Sequence, residues 1–198
     1  MGECRVRVIA GSMRGRTLTA PKGHATRPTS DRVREAIFST LQSRFDAVTD
    51  AIVLDLFAGS GALGIEALSR GAAMVTFIES SRTARDVLSR NIDDLGLRAC
   101  VQVEAKDAFT TPVTLGSTSR FTLLFLDPPY RIEPVRIREL LEELACRGIL
   151  EEGAVVVYEH STAAKIVWPS GFEESGQRVY GDTTISYARW GDEGVFTE

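Results

Sequence analysis

Between residues 51 and about 160, five short apolar runs alternate with segments of helical spacing. The runs are AIVLDLF, AMVTFIE, CVQVEA, FTLLFLDPP and AVVVYEH. Each is too short for an ordinary helix, and AIVLDLF is a continuous apolar run interrupted by one Asp. Such runs fit strands buried on both faces of a parallel sheet. The intervening segments predict helices over roughly Ala62 to Arg70, Ser81 to Leu95 and Pro134 to Cys146. That alternation confines the chain to an α/β class with a doubly wound, Rossmann-like sheet. RVYGD and TTISYARW at the end read as a hairpin that adds an antiparallel pair to the sheet edge. The expected sheet is therefore seven-stranded and mostly parallel.

The first 45 residues have a different texture. RVRVIAG and RGRTLTAP read as two short strands joined by a turn between Gly11 and Gly15. Pro21, Gly23 and Pro28 punctuate a loop, and Thr29 or Ser30 is placed to cap a helix from Arg32 to Leu41. Val33, Ile37, Phe38 and Leu41 fall at helical spacing and are expected in the core. We divide the chain into a basic extension, 1–45, and a larger domain, 46–198.

Charge supports the division. Residues 1–34 hold eight basic and two acidic side chains, a net of +6, whereas the remainder has a net of −10. A basic arm on an acidic body can present a local phosphate-binding face; a solvated surface segment has the same composition. No apolar run approaches the roughly 18 residues needed to cross a membrane, and no secretory signal is evident. Cys4, Cys100 and Cys146 form no C-x-x-C pair, which argues against structural zinc and a disulfide framework. A reducing cytoplasm is the expected compartment. His24 and His160 are single, separated histidines; His160 follows a strand and is expected to be structural or exposed.

The segment from Asp55 to Gly64, DLFAGSGALG, joins the first buried strand to its helix. Gly59, Gly61 and Gly64 match G-x-G-x-x-G, which serves dinucleotides and S-adenosylmethionine alike. Glu79 lies 20 residues after Gly59, where an acid can accept hydrogen bonds from ribose hydroxyls. Two acids favour S-adenosylmethionine. Asp55, ahead of the glycines, suits a methionine amino group and would repel a pyrophosphate. Asp107, after the third strand, can accept from an adenine amine, although an acid there also caps helices. Phe57, Ser60 and Ala108 complete the expected cofactor set.

Asp127-Pro128-Pro129-Tyr130 ends the fourth strand. Alone it reads as a rigid turn. Beside a glycine loop it has a sharper meaning. An exocyclic amine on a base is a poor nucleophile because its lone pair is delocalised into the ring. Two acceptors on its hydrogens, the Asp127 carboxylate and the Pro128 carbonyl, would orient it and favour the developing positive charge. Tyr130 can stack on the base. No cysteine is placed to add to a pyrimidine, and direct in-line transfer requires no metal.

At this point the chain resembles the class I S-adenosylmethionine methyltransferases with a D-P-P-Y amine motif. More narrowly it resembles the bacterial RsmD family, through RVIAGSMRGRTL, TRPTSDRVREAIFSTL, LDLFAGSGALGIEALSRGA, Glu79 and FLDPPY. The resemblance implies a class I methyltransferase fold and methylation of guanine N2 in 16S ribosomal RNA. It implies a small ribosomal subunit or an assembly intermediate as substrate, with ribosomal protein contacts, and we expect a monomer. It implies cofactor contacts at Asp55, Gly59, Gly61, Glu79 and Asp107, and target contacts at Asp127, Pro128 and Tyr130. It places Arg14, Arg16, Arg27, Arg32 and Arg34 on RNA phosphates. Arg34 with Glu35 also reads as a helix-surface pair, and Arg27-Pro28-Thr29 as a lid over the cofactor.

Three rival readings differ in class. An amine methyltransferase for adenine or protein glutamine shares the motif, but the chain has no evident separate target-recognition domain. A nicotinamide oxidoreductase is disfavoured by Asp55 and by the missing second half of a dinucleotide fold. A non-catalytic RNA-binding module has no need of Asp127 and the glycine loop.

Overall fold

The computed structural model describes residues 5–20, 30–113, 115 and 120–191. Arg27, His24, Cys4 and the Thr29 alternative for the helix cap lie outside the described residues.

The chain opens with an antiparallel pair, β1 (Arg5–Arg7) and β2 (Thr17–Thr19), in the register Val6 opposite Leu18. Helix α1 (Asp31–Thr40) follows. Its cap is Ser30, whose side chain accepts from the Val33 N–H. Thr40 Oγ1 donates back to the Ala36 carbonyl, and the last turns widen into a π-helical segment, Leu41–Phe45. The expected helix is thus found one residue earlier at each end, with Val33, Ile37, Phe38 and Leu41 all buried.

The body runs β3 (Ile52–Asp55), α2 (Ala62–Ser69), β4 (Met74–Ile78), α3 (Arg82–Leu95), β5 (Val101–Glu104), β6 (Phe121–Leu126), α4 (Pro134–Cys146), β7 (Leu150–Ser161), β8 (Phe172–Tyr180) and β9 (Thr183–Trp190). Ser81 caps α3 with its side chain, and Gly96 ends it in the left-handed region at φ 69°. Pro134 starts α4, where its missing N–H is not needed.

Seven strands form one sheet in the order β5-β4-β3-β6-β7-β9-β8. The first five are mutually parallel; β9 and β8 are antiparallel and close one edge. Strand side chains alternate between two cores. Val53, Phe77, Phe125 and Val157 face the layer of α1, α2 and α3, together with Val6, Val8 and Leu18 of the N-terminal pair. Leu54, Leu124, Val156 and Tyr158 face Ile137, Leu140, Leu141 and Leu144 of α4. Burying each such Leu or Phe stabilises by roughly 1.5–3 kcal/mol.

The N-terminal pair is fastened to α2 by polar contacts as well. The buried Glu66 carboxylate accepts from the N–H groups of Ile9 (2.8 Å) and Ala10 (3.0 Å). The Ser12 N–H donates to the Ser69 carbonyl at 2.7 Å, and the Met13 N–H to Ser69 Oγ at 3.0 Å. Gly11 crosses so near that a Cβ there would sit 1.7 Å from the Ser69 carbonyl oxygen. Among the described residues no helix is long and apolar enough to cross a membrane.

Candidate active site

Strand order places the site. From β3 the chain moves out one way to β4 and β5, then returns to the other flank of β3 as β6. The switch point is the crevice at the carboxyl ends of β3 and β6, where ligands of such sheets bind. Asp55 stands opposite Phe125 in the register. The glycine loop therefore leaves β3 beside the D-P-P-Y turn, which begins two residues past Phe125 on β6.

The loop is braced from both sides. The Leu56 N–H donates to the Phe125 carbonyl and the Ala58 N–H to the Ile78 carbonyl, both at 3.1 Å. Gly59 and Gly61 have φ of 54° and 82°. The three glycines do different work. A Cβ on Gly59 would meet nothing within 4 Å, so this residue faces open space. A Cβ on Gly61 would come within 2.4 Å of Leu88 Cδ1, and one on Gly64 within 2.4 Å of Phe77 Cε1. Those two let the loop and α2 pack on their neighbours.

Asp55 is buried, and its Oδ2 accepts from the Gly64 N–H at 3.2 Å. Burial raises its pKa from 3.8 to about 7; the Gly64 and Phe57 N–H groups oppose this, and the charge of Glu79 adds to it. A buried carboxyl in that range is poised to receive a cation. Glu79 holds the loop itself: Oε2 accepts from Gly59 N–H (2.8 Å) and Oε1 from Ser81 N–H (2.7 Å). Asp107 is exposed, with Oδ1 accepting from the Phe109 N–H at 2.9 Å. This is the capping geometry that the sequence allowed for it, and it leaves the carboxylate at the rim. Ala108 is buried beneath it. Phe57 meets Phe109 edge-on at 5.9 Å between centroids, and the Arg136 guanidinium lies 4.5 Å over the Phe109 ring.

In the D-P-P-Y turn Pro128 is buried and Asp127 half-buried. The Ile132 N–H donates to the Pro129 carbonyl at 2.8 Å and closes the turn. Tyr130 is 56% exposed, and its hydroxyl is 2.8 Å from Thr183 Oγ1 at the start of β9. The terminal hairpin thereby supports the turn. His160 is buried, with Nδ1 2.9 Å from the Ser161 carbonyl and Nε2 2.9 Å from Ser186 Oγ. Burial lowers its pKa, so the neutral ring donates from Nδ1 and accepts at Nε2. That is a structural role.

The arginines separate. Arg14 and Arg32 are exposed. Arg16 is exposed too, and its Nη2 donates to the Asp94 carbonyl at 2.6 Å. Arg34 corrects the sequence reading: it is 1% exposed and cannot reach a phosphate. Its Nη2 donates to the Arg7 carbonyl (2.6 Å) and to Asp31 Oδ1 (2.8 Å), so it locks α1 to β1. Nor does it form the surface pair with Glu35.

The sequence reading missed Asn91, Phe109, Arg136 and Thr183, which touch the glycine loop, the rim beside Asp107 and the D-P-P-Y turn. None stands at a position that a local motif marks. Among the described residues no group of three or more His, Cys, Asp or Glu is arranged to hold a metal. A cavity of about 250 Å³ lined by Phe45, Asp46, Thr122 and Arg189 lies at the amino ends of the strands, away from this site.

Residues 6–189 match the family model described as conserved hypothetical protein 95. The chain is 39% identical over 162 residues to ribosomal RNA small subunit methyltransferase D of Escherichia coli K12, covering 80% of this chain and 76% of that one. It is similar to the solved structure of yhhF from Escherichia coli, with a TM-score of 0.83 and 33% identity over 95% of this chain and 99% of that one. An RNA methyltransferase from Salinibacter ruber, solved with S-adenosyl-L-homocysteine, shares the fold at a TM-score of 0.61 and 18% identity, over 84% and 95% of the two chains.

Proposed function

Because the chain belongs to the RsmD family, it is an S-adenosylmethionine-dependent ribosomal RNA methyltransferase, and we propose that its target is the exocyclic N2 amine of one guanine in 16S ribosomal RNA. The observation that carries the proposal is the register of Asp55 with Phe125. It brings the glycine loop and the D-P-P-Y turn out of neighbouring strands at one switch point, which supports reading the first as the cofactor loop and the second as the grip on the amine.

The residues present fit the cofactor. Asp55 is a buried carboxyl in want of a cation, and Gly59 faces open space. Asp55 would hold the amino group of the methionine moiety. Glu79 would accept from the ribose hydroxyls through lone pairs beyond those used by Gly59 and Ser81, and Asp107 from the adenine amine. Phe57, Ser60, Gly61 and Ala108 complete the wall. When bound, S-adenosylmethionine supplies an electrophilic sulfonium methyl. Asp127 and the Pro128 carbonyl each accept one hydrogen of the target amine, which turns its lone pair out of conjugation and disperses the positive charge that develops. The proline pair fixes both acceptors. Tyr130, held by Thr183, offers its exposed ring to a base that has left its stack.

We assign residues 1–45 to RNA contact, through Arg14, Arg16, Arg27 and Arg32, and residues 46–198 to catalysis. The substrate in this reading is the small subunit or its assembly intermediate, met by a cytoplasmic monomer that also touches ribosomal protein. Mass spectrometry of 16S RNA from cells lacking the gene tests the target. One N2-methylguanosine should disappear. Loss of an N6-methyladenosine instead, or of no methyl group, overturns the guanine assignment.

A further inference from the structure

Asn91 is 2% exposed, in the third turn of α3. Its Oδ1 accepts from the Thr19 N–H at 2.9 Å. Its Nδ2 donates to the Thr19 carbonyl at 3.0 Å and to the Ser60 carbonyl at 2.9 Å. One side chain therefore pairs with a residue of β2 and holds a carbonyl of the cofactor loop. The amide orientation is fixed by chemistry. Turned over, it would face an oxygen to two carbonyls and an NH2 to an N–H.

The Ser60–Gly61 peptide is held at both ends. Asn91 takes its carbonyl, and its N–H donates to the Ala58 carbonyl at 2.7 Å. Gly61, at φ 82°, has no side chain to resist rotation of that plane. Without Asn91 only the N–H end of this peptide is restrained, and Ser60 loses its fixed orientation while Gly59 stays held by Glu79. The same amide reaches Thr19, at the far end of the hairpin whose turn carries Arg14 and Arg16. Arg16 in turn donates to the Asp94 carbonyl near the end of α3. The hairpin and the loop are thus two ends of one short hydrogen-bonded path.

We propose that Asn91 is a positioning residue that couples the N-terminal hairpin to the cofactor loop. Ordering either end strengthens ligand binding at the other, and the coupling is reciprocal. The inference rests on the assignment of loop 55–64 to S-adenosylmethionine.

Hydrogen exchange on the full-length wild-type protein, with and without S-adenosylhomocysteine, tests it. Ligand should slow exchange in peptides over 56–64 and, about threefold or more, over β2. In Asn91→Ala the slowing over β2 should vanish while that over 56–64 persists, and affinity for S-adenosylhomocysteine should fall about five- to tenfold. Protection of 56–64 with none over β2 in the wild type overturns the coupling and spares the cofactor assignment. This arm decides the matter even if Asn91→Ala does not fold. No protection over 56–64 removes the cofactor assignment, and the coupling with it. A lower melting temperature in Asn91→Ala with unchanged ligand affinity reduces Asn91 to a structural residue.

Discussion

The Glu79 carboxylate accepts the Gly59 N–H at 2.8 Å, so the acid at the end of β4 clasps the one glycine of the loop 55–64 that faces open space. Its other oxygen accepts from Ser81, which caps α3. A ligand ribose would therefore meet an acid whose position is already fixed on both sides.

Glu79→Gln keeps the size but supplies only one acceptor oxygen. One of the two N–H groups is left facing an NH2, at a cost of about 1–3 kcal/mol. The expected outcome is a melting temperature several degrees lower and affinity for S-adenosylhomocysteine reduced at least about tenfold. Scanning calorimetry and titration calorimetry read the two effects. An unchanged affinity would detach Glu79 from the ribose and leave it a loop brace.

With Asp55 facing the methionine amino group as proposed, cofactor binding should depend on pH. Burial raises its pKa to about 7, so near neutrality much of it is protonated before a cation arrives. Affinity for S-adenosylhomocysteine should rise from pH 6 to pH 8, and binding near pH 6.5 should release protons. Stability of the free protein runs the other way. A folded-state pKa above the unfolded value gives a contribution that is full below 3.8 and is lost as pH climbs through about 7. The span corresponds to at most roughly 4 kcal/mol. In Asp55→Asn this part of the pH dependence should disappear, so the variant gains on the wild type in going from pH 5 to pH 8 while binding ligand poorly throughout. Parallel stability curves for the two proteins would mean that Asp55 is already ionised in the folded state.

Asp127 should separate chemistry from cofactor binding. It is half-buried on the turn after β6, the strand that neighbours β3, rather than in the glycine loop itself. Asp127→Ala is expected to lose turnover by at least a hundredfold, the ordinary worth of a positioned acceptor in such a step. Affinity for S-adenosylhomocysteine should stay within several-fold. Single-turnover methylation of purified small subunits measures the first and calorimetry the second. Near-normal turnover would require another acceptor for the amine.

Much of this was legible because its causes are local. The strands from β3 to β6 and helices α2 to α4 follow from short strand-like runs, caps and the Pro134 start, and the glycines lie where a strand turns into a helix. What escaped is tertiary. β7 starts at Leu150, ahead of AVVVYEH, because Gly153 at φ 80° lets the chain rejoin β6 after a register shift between Phe121 and Leu123. β8 reaches back to Phe172 through a bulge between Glu174 and Gly176, where no period of two survives. Asn91 reads as an ordinary polar residue of a helix, since its partners lie 31 and 72 residues away. Arg34 reads as a surface charge for the same reason.

That difference yields the last prediction. Arg14 and Arg16 are exposed on the hairpin turn, whereas Arg34 is enclosed between α1 and β1, with Nε and Nη1 buried and without partners among the described residues. Exposed arginines on phosphates act by releasing counterions. Replacing both Arg14 and Arg16 with Gln should therefore weaken RNA binding and lower the slope of log affinity against log salt by about 1.5. Arg34→Ala removes a buried side chain that bonds the Arg7 carbonyl and the exposed Asp31, and it opens a void, so it should cost about 3 kcal/mol of stability. Because Arg34 touches no solvent, the salt slope of the folded Arg34→Ala protein should match that of the wild type. Arg34→Met, which refills the space, should recover part of the stability and show the same slope. A slope lowered in either Arg34 variant would place that side chain on RNA and would mean that α1 moves away from β1 when RNA binds.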